Sequence, residues 1–297
     1  MPSEFPTISI VVPNLNQAGF IRESLDSILD QNYPNIEVIV VDGGSTDESL
    51  KIIETYKSRL RHVLVGSDKG HYDAVNKGFA IATGEVLAFL NSDDKLFPES
   101  LQTIGEVFSS HVNIEWATSL LPALWDVYGR CIAVTPIPGY NSEAFLDGMY
   151  GGGNAPWFIQ QESTFWRRSL WEKAGGRIRD EFSHAGDFDL WGRFFQHAEL
   201  YGLQSLLGGF RIREGQRLAE GSLYADQSRQ CLMRFRSDHS PLIRHVRKRT
   251  FHMGLYRTKF AGGLLRHFIG YSGKCVIRTH PESKSAAAWK IKDYLFP

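Results

Sequence analysis

Residues 7–13, Thr-Ile-Ser-Ile-Val-Val-Pro, form an apolar, β-branched run closed by proline, the pattern of a parallel strand buried on both faces. Behind it, Ile21, Leu25, Ile28 and Leu29 recur on one face at helical spacing until Pro34 stops the pattern, with Asn16 as the expected N-cap. The two patterns then alternate: a strand over 36–41, a helix over 46–56, a strand over 61–65, a helix over 72–82 and a strand over 86–90. The next helix opens at Pro98, where the fixed φ and missing N–H of proline cost nothing. Such alternation predicts right-handed βαβ crossovers and an α/β fold with a mostly parallel, Rossmann-like sheet flanked by helices.

After residue 112 the alternation breaks down. Residues 129–156 are rich in Gly and Pro, with Gly151, Gly152 and Gly153 in succession, and read as a long loop region of the kind that often forms a lid. A strand is expected over 158–166 and a short helix over 188–195, and beyond Ser222 the chain reads as mainly helical. Three parts follow: a βαβ half over 1–112, a second half of the same domain over 113–221, and a C-terminal extension over 222–297. No window approaches the roughly 20 apolar residues of a membrane-spanning helix, and no secretory leader is present, so a soluble or peripherally attached protein is expected.

Charge alters this picture in one respect. The chain holds 33 basic and 33 acidic residues, yet residues 232–280 carry 11 Lys and Arg against the single Asp238, while the first 231 hold 19 against 30. A basic tail on an acidic body can meet anionic lipid head groups or nucleic acid, or pack internally against that body. Cys131, Cys231 and Cys275 are odd in number and widely separated, which suggests neither a disulfide framework nor a metal cluster and fits a reducing, cytoplasmic compartment.

Four polar clusters carry candidate chemistry. In Val41-Asp42-Gly43-Gly44-Ser45, an acid stands where a parallel strand gives way to a helix, the place where open α/β sheets bind ligands; Asp42 either contacts a base or ribose there or, with Ser45, caps the next helix. Leu90-Asn91-Ser92-Asp93-Asp94 sets two adjacent acids at a strand end, where a divalent cation offsets their repulsion unless the segment is a plain polar turn. Asp73, Asn76 and Lys77 share one helix face, which holds nucleoside and phosphate groups or forms an exposed Asp73–Lys77 pair. In Gly186-Asp187-Phe188-Asp189-Leu190-Trp191, the acids serve as a general base or answer the helix dipole.

Together, Val12-Pro13-Asn14, Val41-Asp42-Gly43-Gly44-Ser45-Thr46-Asp47, Tyr72-Asp73-Ala74-Val75-Asn76-Lys77-Gly78 and Leu90-Asn91-Ser92-Asp93-Asp94 resemble the inverting glycosyltransferases of family 2, which have the GT-A fold, over residues 7 to about 214. The resemblance implies a nucleotide-sugar-binding first half and an acceptor-binding second half. Pro13, Asn14, Asp42, Asp73, Asn76, Lys77 and Asp93 would bind the donor, and Asp94 would bind Mn²⁺ or Mg²⁺ held by the diphosphate. Asn91 and Ser92 precede the acidic pair here, so either acid can be the ligand.

The resemblance also makes Asp187 the catalytic base, although Gly186 replaces the first acid of the family's acidic pair. Gln161, Trp166 and Trp191 fall on the acceptor side, the tryptophans either stacking on a sugar or lying in the core, and Arg211 and Arg213 fall in a segment where a basic residue approaches the diphosphate.

The activity so implied is metal-dependent transfer of a sugar, with UDP-sugar as first guess, to a glycan or lipid-linked acceptor, in surface polysaccharide or glycolipid synthesis at the inner membrane face. Neither a Gln-x-x-Arg-Trp motif nor membrane helices are found, which favours single additions. In this setting residues 232–280 would contact anionic membrane, not nucleic acid. A noncatalytic nucleotide-sugar-binding protein of the same fold is the alternative. A sugar nucleotidyltransferase would carry a Gly-rich, Arg-containing loop after the first strand, and a nicotinamide dehydrogenase Gly-x-Gly-x-x-Gly. The loop reads Asn14-Leu15-Asn16-Gln17-Ala18-Gly19.

Overall fold

A computed structural model of the chain describes residues 5–213, 221–236, 245–247, 249, 270–279 and 288–296. The first half follows the predicted alternation: β1 (Ile8–Asn14), α1 (Ile21–Leu29), β2 (Ile36–Asp42), α2 (Ser49–Thr55), β3 (His62–Val65), α3 (His71–Ile81) and β4 (Val86–Phe89). A short β5 (Lys95–Leu96) and α4 (Ser100–Ser110) complete it. The second half contributes β6 (Trp116–Ser119), β7 (Ala123–Trp125), β8 (Cys131–Val134), α5 (Ser142–Leu146), a 3₁₀ turn (Gln161–Ser163), β9 (Phe165–Arg167), α6 (Arg168–Lys173), α7 (Gly186–Phe195), β10 (Leu200–Leu203) and β11 (Gly208–Arg211). After α8 (Gly221–Phe235) come β12 (Tyr271–Arg278) and β13 (Trp289–Phe296).

Nine strands form one sheet in the order β13-β12-β10-β6-β9-β4-β1-β2-β3, and β5-β11-β7-β8 form a smaller one. β1 lies parallel to β2 and β4, and β9 runs antiparallel between β4 and β6, so the two halves share one sheet. The pleat of β1 sends Ile8, Ile10 and Val12 to the face covered by α1 and α4, and Val11 to the face covered by α3 and α7. On the second face Gly78 is required, because a Cβ there would lie 2.4 Å from Val11 Cγ1. Burying side chains on both faces at ~25 cal/mol per Å² of apolar area is what holds the strand ends in place for the site.

Several expectations are corrected. Asn16 does not cap α1; with φ at +53° it turns back, and its Oδ1 accepts the Thr46 N–H at 2.8 Å. The stretch over 129–156 is not a lid: Ile137, Tyr140, Phe145, Met149 and Tyr150 are buried in the main core. The described part of the extension adds two strands to its helix α8, β12 lying parallel to β10 and β13 closing an antiparallel hairpin on it.

Much of the basic stretch, residues 237–244, 248 and 250–269, lies outside the described residues. Three of its described cations meet acids: Arg234 pairs with Glu181 at 2.8 Å, Arg247 with Glu143 at 2.6 Å and Lys274 with Asp293 at 2.7 Å. No helix among the described residues is long and apolar enough to cross a membrane.

Candidate active site

The carboxyl ends of β1, β2 and β4 open on one crevice, the ligand-binding edge of an open parallel sheet. The β1–β2 register sets Asn14 beside Asp42, and Pro13 is buried opposite Val41. Asn14 Nδ2 donates to Asp42 Oδ2 at 2.6 Å, Ser45 Oγ donates to the same oxygen at 2.7 Å, and the N–H groups of Gly44 and Ser45 donate to Oδ1 at 2.9 and 2.7 Å. Asp42 is wholly buried. Its carboxylate is engaged in shaping the turn, as is the Asn14 amide nitrogen, while Asn14 Oδ1 has no hydrogen-bond partner among the described residues.

The acidic pair after β4 divides sharply. Asp94 is fully buried, with Oδ1 accepting the Arg211 N–H at 2.7 Å and Oδ2 accepting Asn91 Nδ2 at 2.9 Å. Burial first, then the charges of Glu162 and Asp93, push its carboxyl well above the usual carboxylate range. Arg211, also fully buried, donates to Asp93 O at 2.5 Å and Glu23 Oε2 at 2.6 Å. Asp94 therefore ties β11 to the β4 turn through the Arg211 N–H.

Asp93 is the partly exposed acid of the pair, its Oδ2 paired with Arg213 at 2.8 Å. Arg213 also donates to Gln17 Oε1 at 3.0 Å, and Phe20 lies under the guanidinium groups of both arginines at 5.1 and 5.2 Å.

On α3 the expected donor-binding side chains are engaged with one another and with nearby backbone. Asp73 pairs with Lys77 at 2.9 Å and accepts the Lys69 N–H at 2.9 Å, while Lys77 donates to Ser67 O at 3.0 Å. Asn76 clamps Ile178, donating to its carbonyl at 2.7 Å and accepting its N–H at 2.8 Å.

Asp187 opens α7, half-buried, its Oδ1 accepting the Phe188 N–H at 2.8 Å. Asp189, by contrast, is fully buried and bound by Arg193 at 2.9 Å and Arg179 at 3.3 Å, a structural pairing. Trp166 and Trp191 are fully buried and pack together with ring centroids 5.7 Å apart. Gln161 is buried, donating to Phe89 O. None of these three reaches an acceptor surface, because the core claims the rings and β4 claims the amide.

Glu162 escaped the sequence reading. It is buried on the 3₁₀ turn, and burial is the main reason its carboxyl is pushed up to about 7; a hydrogen bond with Asp94 opposes the rise, and Asp187 and Asp93 reinforce it. The available signal is isolation, since Glu162 is the only charged residue over 148–166. Tyr72 also went unassigned, and its hydroxyl lies 2.9 Å from His184 O and 3.1 Å from Asp187 Oδ1.

Residues 9–117 match the sequence profile of Glycosyl transferase family 2. The chain is 39% identical over 107 residues to an uncharacterized glycosyltransferase of Nostoc sp., covering 35% of this chain and 33% of that protein. It is 39% identical over 110 residues to a PGL/p-HBAD biosynthesis glycosyltransferase of Mycobacterium tuberculosis, covering 36% and 43%. An uncharacterized glycosyltransferase of Rickettsia prowazekii matches over a longer stretch, 26% identical over 212 residues, 71% of this chain and 65% of that protein. The matches thus span less than half the length of the first two relatives.

Among solved structures, S. aureus TarS 1-349 in complex with UDP-GlcNAc superposes with a TM-score of 0.59 at 20% identity, covering 86% of this chain and 77% of that one. Mannosyltransferase PcManGT from Pyrobaculum calidifontis, in complex with GDP-Man and Mn²⁺, follows at 0.54 and 15%, covering 89% and 84%. At these identities the likeness speaks for the fold. Residues 9–117 are thus similar to glycosyl transferase family 2, and the described body carries the GT-A fold.

Proposed function

We propose that the protein moves a sugar from a nucleoside diphosphate carrier to an acceptor hydroxyl by one displacement at the anomeric carbon, with inversion. The observation that carries this reading is the meeting of two distant acids at Glu162. Asp93 at the end of β4 and Asp187 at the start of α7 both lie close enough to Glu162 to raise its pKa. A hydroxyl is a poor nucleophile near neutral pH, so a carboxylate that takes its proton during attack contributes about 10²–10⁴ in rate. Asp187 supplies that base and Asp93 faces the leaving group.

A UDP-sugar donor is supported by the TarS complex with UDP-GlcNAc, and the GDP-Man complex of PcManGT keeps a second nucleotide open to test. The amide oxygens of Asn14 and Asn91, buried without a hydrogen-bond partner among the described residues, stand at adjacent strand ends where donor N–H or O–H groups would satisfy them. The proposed setting, synthesis of a surface glycan or glycolipid, rests on the family resemblance.

Divalent metal fits Asp93. Its carboxylate already faces a cation, the Arg213 guanidinium. The described residues contain no group of three or more His, Cys, Asp or Glu able to hold an ion by themselves. One protein carboxylate completed by diphosphate oxygens and water is a usual coordination for Mg²⁺ or Mn²⁺. Bound there, the cation supplies positive charge against the departing diphosphate. Arg213, carried just beyond β11, is within reach to turn from Asp93 to a phosphate oxygen, and buried Arg211 keeps the Asp93 backbone from yielding.

A thermal-shift panel of UDP, GDP, dTDP and CDP, each with and without Mn²⁺, tests the reading on wild type, Asp93→Ala and Asp187→Asn. Ligand at 100 times its Kd should stabilise by ~2.7 kcal/mol, worth several degrees in Tm. One nucleotide should stabilise in an Mn²⁺-dependent way, lost in Asp93→Ala and kept in Asp187→Asn, which should bind donor but not transfer sugar. Absence of stabilisation by every nucleotide would sink the donor site, and full turnover by Asp187→Asn would sink the base.

A further inference from the structure

α3 holds the segment leading into α7 at two points one helical turn apart. Asn76 clamps Ile178. Four residues earlier on the same face, Tyr72 lays its ring against Gly186 and brings its hydroxyl 3.1 Å from Asp187 Oδ1. A Cβ at position 186 would stand 2.7 Å from Tyr72 Cε2 and 2.8 Å from Ile178 Cγ2, too close for either to stay. The residue that departs from the family's acidic pair is therefore the one that admits the tyrosine ring.

Resting on Asp187 as the base, we propose that Tyr72 is its positioning residue: the phenolic O–H donates to Oδ1 and sets the rotation of the carboxylate, and Gly186 is needed to let the ring in. The hydroxyl has one proton and two acceptors within reach, Asp187 Oδ1 and His184 O at 2.9 Å. A hydrogen bond to an ionised carboxylate is roughly twice as strong as one to a neutral carbonyl, so the proton faces Asp187 while that group is charged. Once Asp187 has taken the acceptor proton, the phenolic hydrogen turns to His184 O. Tyr72 thus stays bonded in both protonation states, and the carboxylate is kept in place before each turnover.

Among the described residues, Asp187 is also faced by Glu162 on the 3₁₀ turn, Tyr224 and Cys231 on α8, and the Phe188 N–H on α7 itself. None of them changes in Tyr72→Phe, so comparing that variant with wild type isolates the hydroxyl. The measurement is a pH titration of protein labelled with [¹³Cγ]aspartate, with Asp187→Asn assigning the resonance. Removing a donor from a carboxylate disfavours its charged form. The Asp187 midpoint should rise by about one pH unit in Tyr72→Phe. Gly186→Ala, which keeps the hydroxyl but displaces the ring, should give a rise of the same sign.

With the sugar nucleotide selected by the binding panel, kcat of Tyr72→Phe should fall about ten-fold at little change in KM, and the acid limb of its pH profile should move up with the midpoint. A folded Tyr72→Phe protein whose Asp187 titrates as in wild type overturns the proposal and leaves Tyr72 a packing residue. Full activity in Asp187→Asn would refute the base assignment instead, so the two failures are separable.

Discussion

Glu162→Gln probes the least expected feature of the site. In the unfolded chain Glu162 titrates near its ordinary value of 4.5, whereas in the fold its midpoint is pushed up to about 7 by burial. Between these values the unfolded chain has released the proton and the folded chain still holds it. The folded state is then the more protonated one, and stability falls as pH rises, by about 1.4 kcal/mol per pH unit. Across the window the loss is about 3 kcal/mol, fully present above pH 7 and absent below pH 4.5. Gln keeps the shape and one acceptor but cannot ionise. Urea unfolding of both proteins from pH 5 to pH 8, in EDTA, should show wild type losing about 3 kcal/mol more than the variant. Asp94 is raised in the same direction, in part by the Glu162 charge, so the substitution also eases Asp94 and widens the difference in the same sense. A gap between the two proteins that stays constant over this range would refute the buried, protonated Glu162.

Asn76→Ala should cost about 1–3 kcal/mol in urea unfolding, because the Ile178 backbone loses two hydrogen bonds, while nucleotide affinity stays within two-fold by calorimetry. A large loss of affinity would restore Asn76 to the donor site. Trp191→Ala should lower stability by about 3–5 kcal/mol through a core cavity, with KM for acceptor unchanged where the protein folds. Asp94→Asn keeps an acceptor for the Arg211 N–H and should retain Mn²⁺-dependent nucleotide stabilisation, whereas Asp93→Asn should abolish it. The reverse order of effects would return the metal to Asp94.

What the sequence determined by itself is what local periodicity and local spacing can express. The β1 run, the one-face repeat of α1 and the succession of β2, β3 and β4 need only neighbours within a dozen residues, and each is found within a few residues of its expected bounds. That Asp93 follows a strand and Asp187 opens a helix was also legible, because strand ends and helix starts are local events.

Which way a polar or aromatic side chain points is decided elsewhere. Asp94 turns inward because Arg211, 117 residues later, brings it a backbone donor, and Asn76 is held by Ile178, 102 residues later, which satisfies both ends of its amide. Trp166 and Trp191 could serve a sugar or the core on spacing alone, and only the packing of α7 against β9 settles it. The two C-terminal strands were hidden by basic composition, since their alternation gains a reason only when the edge of β10 stands ready to pair with β12. Burial finally separates the two acids after β4, because charge is tolerated where water reaches and removed where it does not, and the site of exclusion is a property of the assembled fold.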